Sequence, residues 1–375
     1  MRTGRAVVIS AAVSAAVLMS ACGSSGGHST SAGPTTTTPT TGSSTAPTPT
    51  SSASPTTGVT ASTLPSPPTT GPLTASATIT LPIGLPAGQP IAAEGPDGTV
   101  FIDDQPAGAV YVVDGDTPPA IAEHVSGTVS ALAASGSDLY VATFTTLYDY
   151  NRSSGNVTSQ VTLPPVSTAN ISNALPVAMT YAAGQLWVLI TKGNDIDVYR
   201  LDPGTGSLVQ VETSLGATVG TDGTLYYENT SGNLVSLTAS GTTTTGPHLS
   251  TQSNGEGGGV QFVDAVAGGY VWTQDDAGQG LDADYQGYST TSLAAGPSSP
   301  GTAGATMADT LGGPLFRSGA EANACPSGAN ACVLRIGSGA TLSDGLATGA
   351  GAVLLGPYPA LVGPKGDSLA LQRLS

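Results

Sequence analysis

The sequence predicts an all-β protein whose folded part is a single β-propeller of seven blades, with six or eight as the alternatives. Three observations carry this prediction: apolar runs recur about every 43 residues, turn residues separate them, and no 3.6-residue apolar periodicity accompanies them. A unit of this length with three or four short strands is typical of one propeller blade. A two-sheet sandwich is the structural alternative, but it fits a series of similar units poorly.

The repeated pattern consists of small residues, a turn with Gly or Asp, and then a burst of Leu, Val and aromatic residues. Five clear copies and two degenerate ones are GTVFI (98–102), SDLYV (137–141), GQLWV (184–188), GTLYY (223–227), GGYVW (268–272), GGPLF (312–316) and GPYPALV (356–362). A second apolar segment follows the burst, as in AVYVVDG (109–115) and DIDVYRLDPGTG (195–206). We therefore expect each copy to mark one blade.

The two ends of the repeat region predict how the ring closes. SATITLP (76–82) resembles SQVTLPP (159–165), which we interpret as the outer strand of the second blade. The chain ends in DSLALQRLS, which has the pattern of a third strand without a fourth. We expect the N-terminal segment to supply the outer strand of the last blade, because this pairing removes the exposed edge of an open array.

The N-terminus has the features of a targeting segment. Arg2 and Arg5 precede an apolar run, from Ala6 to Met19, that has the length of a signal-peptide core and is too short to span a bilayer. The run ends in LMSAC, with Cys22 after two small residues, and this arrangement resembles the lipobox of bacterial lipoproteins. The resemblance implies a signal peptide over 1–21, a lipid such as palmitate on Cys22, and attachment to the extracytoplasmic face of the cell membrane. An ordinary cleaved signal with a chance cysteine is the alternative.

Residues 22–75 are predicted to form a disordered tether, and residues 76–375 the propeller. Of the 53 residues in 23–75, 44 are Ser, Thr, Pro or Gly and none is charged. Such a segment has too little apolar surface to offset the entropy lost on ordering. It resembles the tethers of actinobacterial lipoproteins, and the resemblance implies O-glycosylation of its hydroxyls.

The charge balance excludes one class of partner. Nine basic residues against 25 acidic ones give a formal charge of -16, the wrong sign for a nucleic-acid-binding protein. All 25 acidic residues but only seven basic ones lie in 76–375, so this domain carries 7 − 25 = −18 charges. Such a domain is repelled by anionic lipid, whereas cationic or neutral ligands are allowed. We expect a monomer with a protein or glycan partner in the cell envelope.

The repeats resemble those of bacterial YVTN-type, NHL-type and quinoprotein-like propellers. The best match is DPGTG, from Asp202 to Gly206, which fits the D-x-x-T-G core of a quinoprotein blade. Gln210 stands where the quinoprotein motif has a tryptophan, and the chain contains only Trp187 and Trp272, which we expect to pack between blades. The resemblance therefore implies the propeller fold, and we predict no bound cofactor.

Candidate sites are few, and no catalytic residues are predicted. His124 and His248 are interpreted as solvated, although some propeller lyases use paired histidines and a glutamate. Cys325 and Cys332 are predicted to form a disulfide that pins an insertion in the sixth blade, because exported proteins favour disulfides and the spacing differs from C-x-x-C.

One acidic segment is a candidate metal site. Asp275, Asp276, Asp282 and Asp284 lie around a predicted hairpin turn rich in Gly. Carboxylate oxygens suit Ca²⁺, but the spacing matches no EF-hand loop. A solvated turn is therefore the preferred interpretation, with calcium as the alternative.

These features favour a lipid-anchored extracytoplasmic propeller that serves as a binding or scaffold module. The alternative is a quinoprotein-like or lyase-type enzyme with its site in the central channel. A third interpretation is a structural disc within a larger envelope complex. The binding role is the leading hypothesis because the sequence lacks a recognisable set of catalytic groups.

Overall fold

The computed structural model describes residues 71–86, 88–115, 119–166, 177–192, 195–249, 261–276, 282–302, 306–311, 313–319, 325, 331–336, 340–343, 345–348 and 351–375. Cys22, the predicted signal peptide and residues 22–70 of the predicted tether lie outside the described residues. The described chain forms 28 strands and a 3-10 helical turn, Gly345–Thr348. Within it, no helix has the length and apolar character needed to cross a membrane.

The strands form seven antiparallel sheets of four strands each. The first strand of the chain, and then the strands of blades 1 to 3, are β1 (Ile79–Gly84), β2 (Ala92–Glu94), β3 (Val100–Asp104), β4 (Ala109–Val113), β5 (Ala120–His124), β6 (Val129–Ala134), β7 (Asp138–Thr143), β8 (Thr146–Asn151), β9 (Asn156–Thr162), β10 (Val177–Ala182), β11 (Gln185–Lys192), β12 (Asp195–Asp202) and β13 (Ser207–Ser214). Blades 4 to 7 contain β14 (Gly216–Val219), β15 (Leu225–Glu228), β16 (Asn233–Leu237), β17 (Thr243–His248), β18 (Gln261–Ala267), β19 (Tyr270–Asp276), β20 (Asp282–Ser289), β21 (Ala295–Thr302), β22 (Thr306–Ala308), β23 (Leu315–Gly319), β24 (Ala331–Arg335), β25 (Thr341–Leu342), β26 (Val353–Leu355), β27 (Ala360–Lys365) and β28 (Ser368–Arg373).

The core consists of seven apolar clusters, each of which joins one blade to the next. Phe101 of blade 1 and Leu132 of blade 2 share one cluster, for example. Leu371 of blade 7 and Ile102 of blade 1 share another, which completes the circle. Each sheet thus buries both faces against its neighbours, which is the arrangement of a seven-bladed propeller.

The sequence repeats mark the second strand of every blade. The seven bursts coincide with β3, β7, β11, β15, β19, β23 and β27, which confirms both the all-β prediction and the count of seven. In the weakest copy, GPYPALV, the burst is offset from the strand, because Pro359 lies one residue before β27 begins.

Two of the first-to-second strand turns show why Asp and Gly precede the burst. Asp222 accepts a hydrogen bond from the backbone N–H of Thr224 at 3.0 Å, and Asp97 accepts one from Thr99 at 3.2 Å. The glycine that follows each aspartate has a positive φ of 79°. A residue with a β-carbon is disfavoured at this φ, so Asp-Gly is a local signal for reversal of the chain.

The predicted closure of the ring by the N-terminal segment is confirmed. Strand β1 pairs antiparallel with β28, with Ile79 opposite Leu371 and Thr80 opposite Ala370. It is the fourth strand of blade 7, whose other strands are β26, β27 and β28. The equivalence with the second blade also holds, because β9 is the outer strand there.

Contacts with the propeller begin within the segment that we assigned to the tether. Leu73 is buried in the cluster between blades 6 and 7. The backbone N–H of Thr74 donates to the carbonyl of Ser375 at 2.8 Å, and Ala75 forms an isolated bridge with Leu374. Composition alone does not reveal this, because a single leucine among small residues carries no strand periodicity.

We expect removal of β1 to disrupt the ring. A chain that begins at Leu85 lacks the outer strand of blade 7, so it exposes the edge of β28 and part of the core that Leu81 and Ile83 fill. It should aggregate or unfold at least 10 °C lower, whereas a chain that begins at Gly71 should unfold as the full mature protein does. Thermal unfolding and gel filtration provide the measurement, and equal melting temperatures for both truncated chains would refute the closure.

Candidate binding site at the channel mouth

The topology gives the ring two different faces. The first strand of each blade begins at one face of the ring, and the second strand ends there. We call this face the mouth face. Strand β1 begins at the opposite face, since Ile79 pairs near the end of β28 and Gly84 pairs with its first residue, Ser368. We call that opposite face the tether face.

The connections differ in length between the two faces. On the tether face, every connection between named strands has six residues or fewer. On the mouth face, residues 163–176, 249–260, 320–330 and 343–352 connect strands over 14, 12, 11 and 10 residues. Long loops on a rigid scaffold are where binding groups concentrate, so the mouth face is the candidate functional surface.

The predicted disulfide is confirmed and belongs to the mouth face. Cys325 and Cys332 are bonded, with their α-carbons 5.5 Å apart. Cys332 lies on β24 opposite Ser318 of β23, so the bond pins the connection between these strands of the sixth blade.

A buried ion pair joins blades 7 and 1 on the tether side. Arg373 donates through Nη1 to Glu94 Oε1 at 2.9 Å and through Nη2 to the carbonyl of Gly98 at 2.5 Å. The second oxygen of Glu94 accepts from the backbone N–H of Tyr358 at 3.1 Å. Burial raises the pKa of Glu94 to about 8, and the guanidinium of Arg373 opposes this rise. A cavity of about 360 Å³ lies beside the pair and is lined partly by Ser76 and Arg373.

A second arginine joins blades 1 and 2 on the same side. Arg152 donates to Asp97 at 2.7 Å and to the carbonyl of Ser135 at 2.7 Å. Its guanidinium carbon also lies 5.0 Å from the centre of the Phe101 ring, within cation–π range. The pair with Arg152 lowers the pKa of Asp97, although burial acts in the opposite direction.

Buried polar side chains recur on the second strands of four blades, two residues after a core side chain that packs against the next blade. They are Asp103, Glu228, Gln274 and Arg317. Burial lowers the pKa of Arg317 to about 10. None of the predicted site residues lies at this position, although its two-residue spacing from the aromatic residue in FIDD and YYEN is a usable signal.

Two aspartates on the mouth side are equally buried but have opposite environments. Asp197 is 3% exposed and accepts hydrogen bonds from Gln210 at 3.1 Å and from Thr213 at 2.7 Å, with Lys192 at 3.3 Å. Asp103 is also 3% exposed, yet neither of its carboxylate oxygens has a hydrogen-bond partner among the described residues. Asp197 is therefore explained by local structure, whereas Asp103 is not.

Burial raises the pKa of Asp103 to about 7, and the negative charge of neighbouring Asp104 adds to the rise. Other buried oxygens without a described partner lie at mouth-side strand ends, namely those of Ser130, Thr191, Ser214 and Thr306. Such atoms are rare in proteins, so the mouth-side strand ends are the part of the blades to consider first for polar contacts.

The candidate calcium ligands are placed only in part. Asp275 pairs with Asp284 along the end of the β19–β20 hairpin, and Asp276 and Asp282 lie on the same two strands. The side chains of all four, and residues 277–281, lie outside the described residues. Among the residues whose side chains are described, no group of three His, Cys, Asp or Glu is arranged to hold a metal ion. The solvated turn therefore stays the preferred interpretation and calcium binding at the hairpin the untested alternative.

The residues that suggested an enzyme lie apart from the channel. His124 and His248 are exposed on β5 and β17, the outermost strands of blades 1 and 4. Trp187 and Trp272 are buried between blades, as expected. Asp202 accepts from the backbone N–H of Gly204 at 2.9 Å and from the Thr205 hydroxyl at 3.0 Å, so the quinoprotein-like motif stabilises a tether-face turn.

We expect Asp103→Asn to stabilise the protein at high pH. Because the folded-state pKa of Asp103 is above the unfolded value, its contribution to the free energy of unfolding falls as pH rises from about 4 to about 7. The variant lacks this loss and should be more stable than the wild type by about 1–3 kcal/mol at pH 8, with little difference at pH 4. The control, Asp197→Asn, should instead be destabilised at pH 8. Urea unfolding at both pH values is the measurement, and destabilisation by Asp103→Asn at pH 8 would contradict this account.

Comparisons with known proteins support the fold. No family model and no curated protein sequence matches the chain. Among solved structures, the chain is similar to a streptogramin B lyase, with a TM-score of 0.54 and 16% identity over 81% of this chain and 98% of that one. It is similar to virginiamycin B lyase from Staphylococcus aureus (TM-score 0.52, 15% identity, 81% and 99% covered) and to YCF48 bound to D1 peptide (0.51, 12%, 81% and 97%). At these identities the similarity shows a shared fold: the chain is a seven-bladed β-propeller.

Proposed function

We propose that this protein is a lipid-anchored binding or scaffold module of the cell envelope, in which the propeller presents its mouth face to a protein partner. The observation that carries the proposal is the contrast between the faces. On the tether face, Arg373 pairs with the buried carboxylate of Glu94 and Arg152 with the partly exposed Asp97, while Asp103 lacks a described partner on the mouth face. A buried polar group without a partner is costly unless a ligand completes it.

The direction of the chain supports this orientation. Residues 71–76 join β1 at the tether face, so an anchor at Cys22 connects to the disc from that side. The mouth face, with its longer connections, is then the face opposite the point of attachment. The negative charge of the domain favours separation from anionic lipid, which repels it.

An exposed aromatic residue also favours a protein partner. Phe144, in the turn between β7 and β8 on the mouth face, is 43% exposed. Aromatic residues at a binding surface contribute a large part of the affinity when a partner buries them. The similar structure of YCF48 was determined with a bound peptide, which is consistent with peptide recognition by this fold.

The second candidate is a lyase-type enzyme, favoured by the similarity to the two streptogramin-type lyases. Against it, His124 and His248 lie on outer strands of separate blades and cannot serve a site in the channel. The quinoprotein variant of this idea is also disfavoured, since Trp187 and Trp272 are committed to packing between blades. The binding role therefore accounts for more of the structure.

We expect Cys22→Ser to release the protein from the membrane fraction, because the variant has no cysteine to carry the lipid. The apolar run at residues 6–19 cannot replace that anchor, since it is too short to span a bilayer. Fractionation and immunoblotting of cells that express each form provide the measurement. Ala21→Gly, a small-to-small change beside the same cysteine, serves as the control and should remain in the membrane fraction. Processed Cys22→Ser protein that stays there would argue against the anchor.

We expect a partner to be captured from the mouth face only. A photo-crosslinking amino acid at Ala107, in the β3–β4 turn, should yield a discrete cross-linked protein in envelope preparations. The same amino acid at Ser153, an exposed turn residue on the tether face, should not. Gel shift and mass spectrometry identify the product. Identical products from both positions, or none from Ala107 and other mouth-face turns, would refute the proposed role of this face.

A further inference from the structure

A group of acceptor oxygens lies at the mouth-side end of the interface between blades 1 and 2. It consists of Gln89 Oε1, both carboxylate oxygens of Asp103, and Ser130 Oγ, and we call it the acceptor cluster. All four atoms are buried, and none has a hydrogen-bond partner among the described residues. The amide oxygen of Gln89 and the ionised carboxylate of Asp103 can only accept, and the Ser130 hydroxyl can also accept.

Backbone pairing and apolar packing place these three residues along the same interface. The backbone N–H of Asp103 donates to the carbonyl of Ile91 at 2.9 Å, and Gln89 lies two residues before Ile91. Ile91 and Val129, the neighbour of Ser130, belong to the same apolar cluster between blades 1 and 2. Asp103 lies on the same side of β3 as Phe101, which packs in that cluster and therefore faces blade 2.

The irregular start of β6 adds to this placement. The pairing of β6 with β7 shifts register between Val129 and Ala131, so Ser130 is the extra residue of a bulge. Bulges redirect a side chain at the end of a strand and are frequent beside binding sites. The neighbouring hydroxyl of Thr143, at the end of β7, donates within its own turn to the carbonyl of Thr146 at 3.1 Å.

The chemistry of the cluster selects a cation that donates hydrogen bonds. A lysine ammonium carries one positive charge and three donors, which matches one carboxylate and its neighbouring oxygens. A calcium ion takes six to eight oxygens, several of them from carboxylates. Asp104 is the other acidic residue at the end of β3, and its charge strengthens the attraction for a cation.

We propose that the acceptor cluster receives the ammonium group of a lysine side chain from a partner protein, which approaches across the channel mouth. This inference rests on the proposed binding role of the mouth face. The lysine would neutralise Asp103 and provide donors to Gln89 and Ser130. Exposed aspartates on the same face, Asp195 and Asp367, would attract a basic segment before it docks.

Fluorescence anisotropy of a labelled peptide tests this inference on the full mature chain. The probe is a nine-residue peptide of alternating serine and lysine, and its fully acetylated form serves as the neutral control. We expect the unmodified peptide to bind in low salt and the acetylated peptide to bind at least tenfold more weakly. Equal binding of the two peptides would overturn the proposal.

Two substitutions with the same change of charge locate the site. Asp103→Asn should weaken binding about tenfold or more, while Asp195→Asn, on the same face but outside the cluster, should weaken it less than about threefold. Ser130→Ala removes one acceptor without a change of charge and should give a smaller loss than Asp103→Asn. It also provides the test if Asp103→Asn does not fold. Equal losses for the two aspartates would show general attraction by an acidic surface and would overturn the assignment to the cluster.

A calcium titration distinguishes the metal alternative. If Ca²⁺ raises the melting temperature of the wild type but not of Asp103→Asn, the cluster is a metal site and the lysine assignment is wrong. Failure of peptide binding, together with a partner cross-linked from Ala107, would overturn this inference and leave the proposed function intact. Failure of both would remove the binding role itself.

Discussion

Closure of the ring is the constraint on which the rest of the structure depends. Each blade buries both faces against its neighbours, so an open array would leave two sheets half exposed. The protein meets this constraint with a strand from the start of the chain, since β1 completes the blade formed by its last strands. The pairing of Ile79 with Leu371 joins residues almost 300 positions apart, so its loop-closure entropy must be offset by the complete set of blade contacts.

The same constraint explains where the buried charges are paired. The interfaces that flank blade 1 are each joined on the tether side by one arginine, Arg373 toward blade 7 and Arg152 toward blade 2. Each arginine bonds both a carboxylate and a backbone carbonyl, which fixes the two blades relative to each other. Such networks rigidify a structure, so these two arginines stabilise the tether side of the interfaces that flank blade 1.

Much of the fold could be predicted from the sequence because its signals are local. An Asp-Gly turn such as Asp222-Gly223 is a local signal for its own conformation, and the seven copies of the wider pattern give the blade count. The candidate site could not be predicted in the same way. Asp103 and Asp197 both lie at strand ends near other acidic residues. They differ in their partners, because Gln210 and Thr213 from a neighbouring strand, together with Lys192, contact Asp197 alone. Hydrogen-bond satisfaction is a tertiary property, and residue type does not encode it.

An unsatisfied carboxylate is therefore the strongest functional signal in the domain. Stability alone would favour asparagine or an apolar residue at Asp103, because a buried charge without a partner opposes folding. The interface between blades 1 and 2 tolerates this penalty, because its other end is fixed by Arg152. This arginine bonds Asp97 and lies over the ring of Phe101. One end of a single interface is thus stabilised by internal bonds, whereas the oxygens of Asp103 at the opposite end have no partner among the described residues.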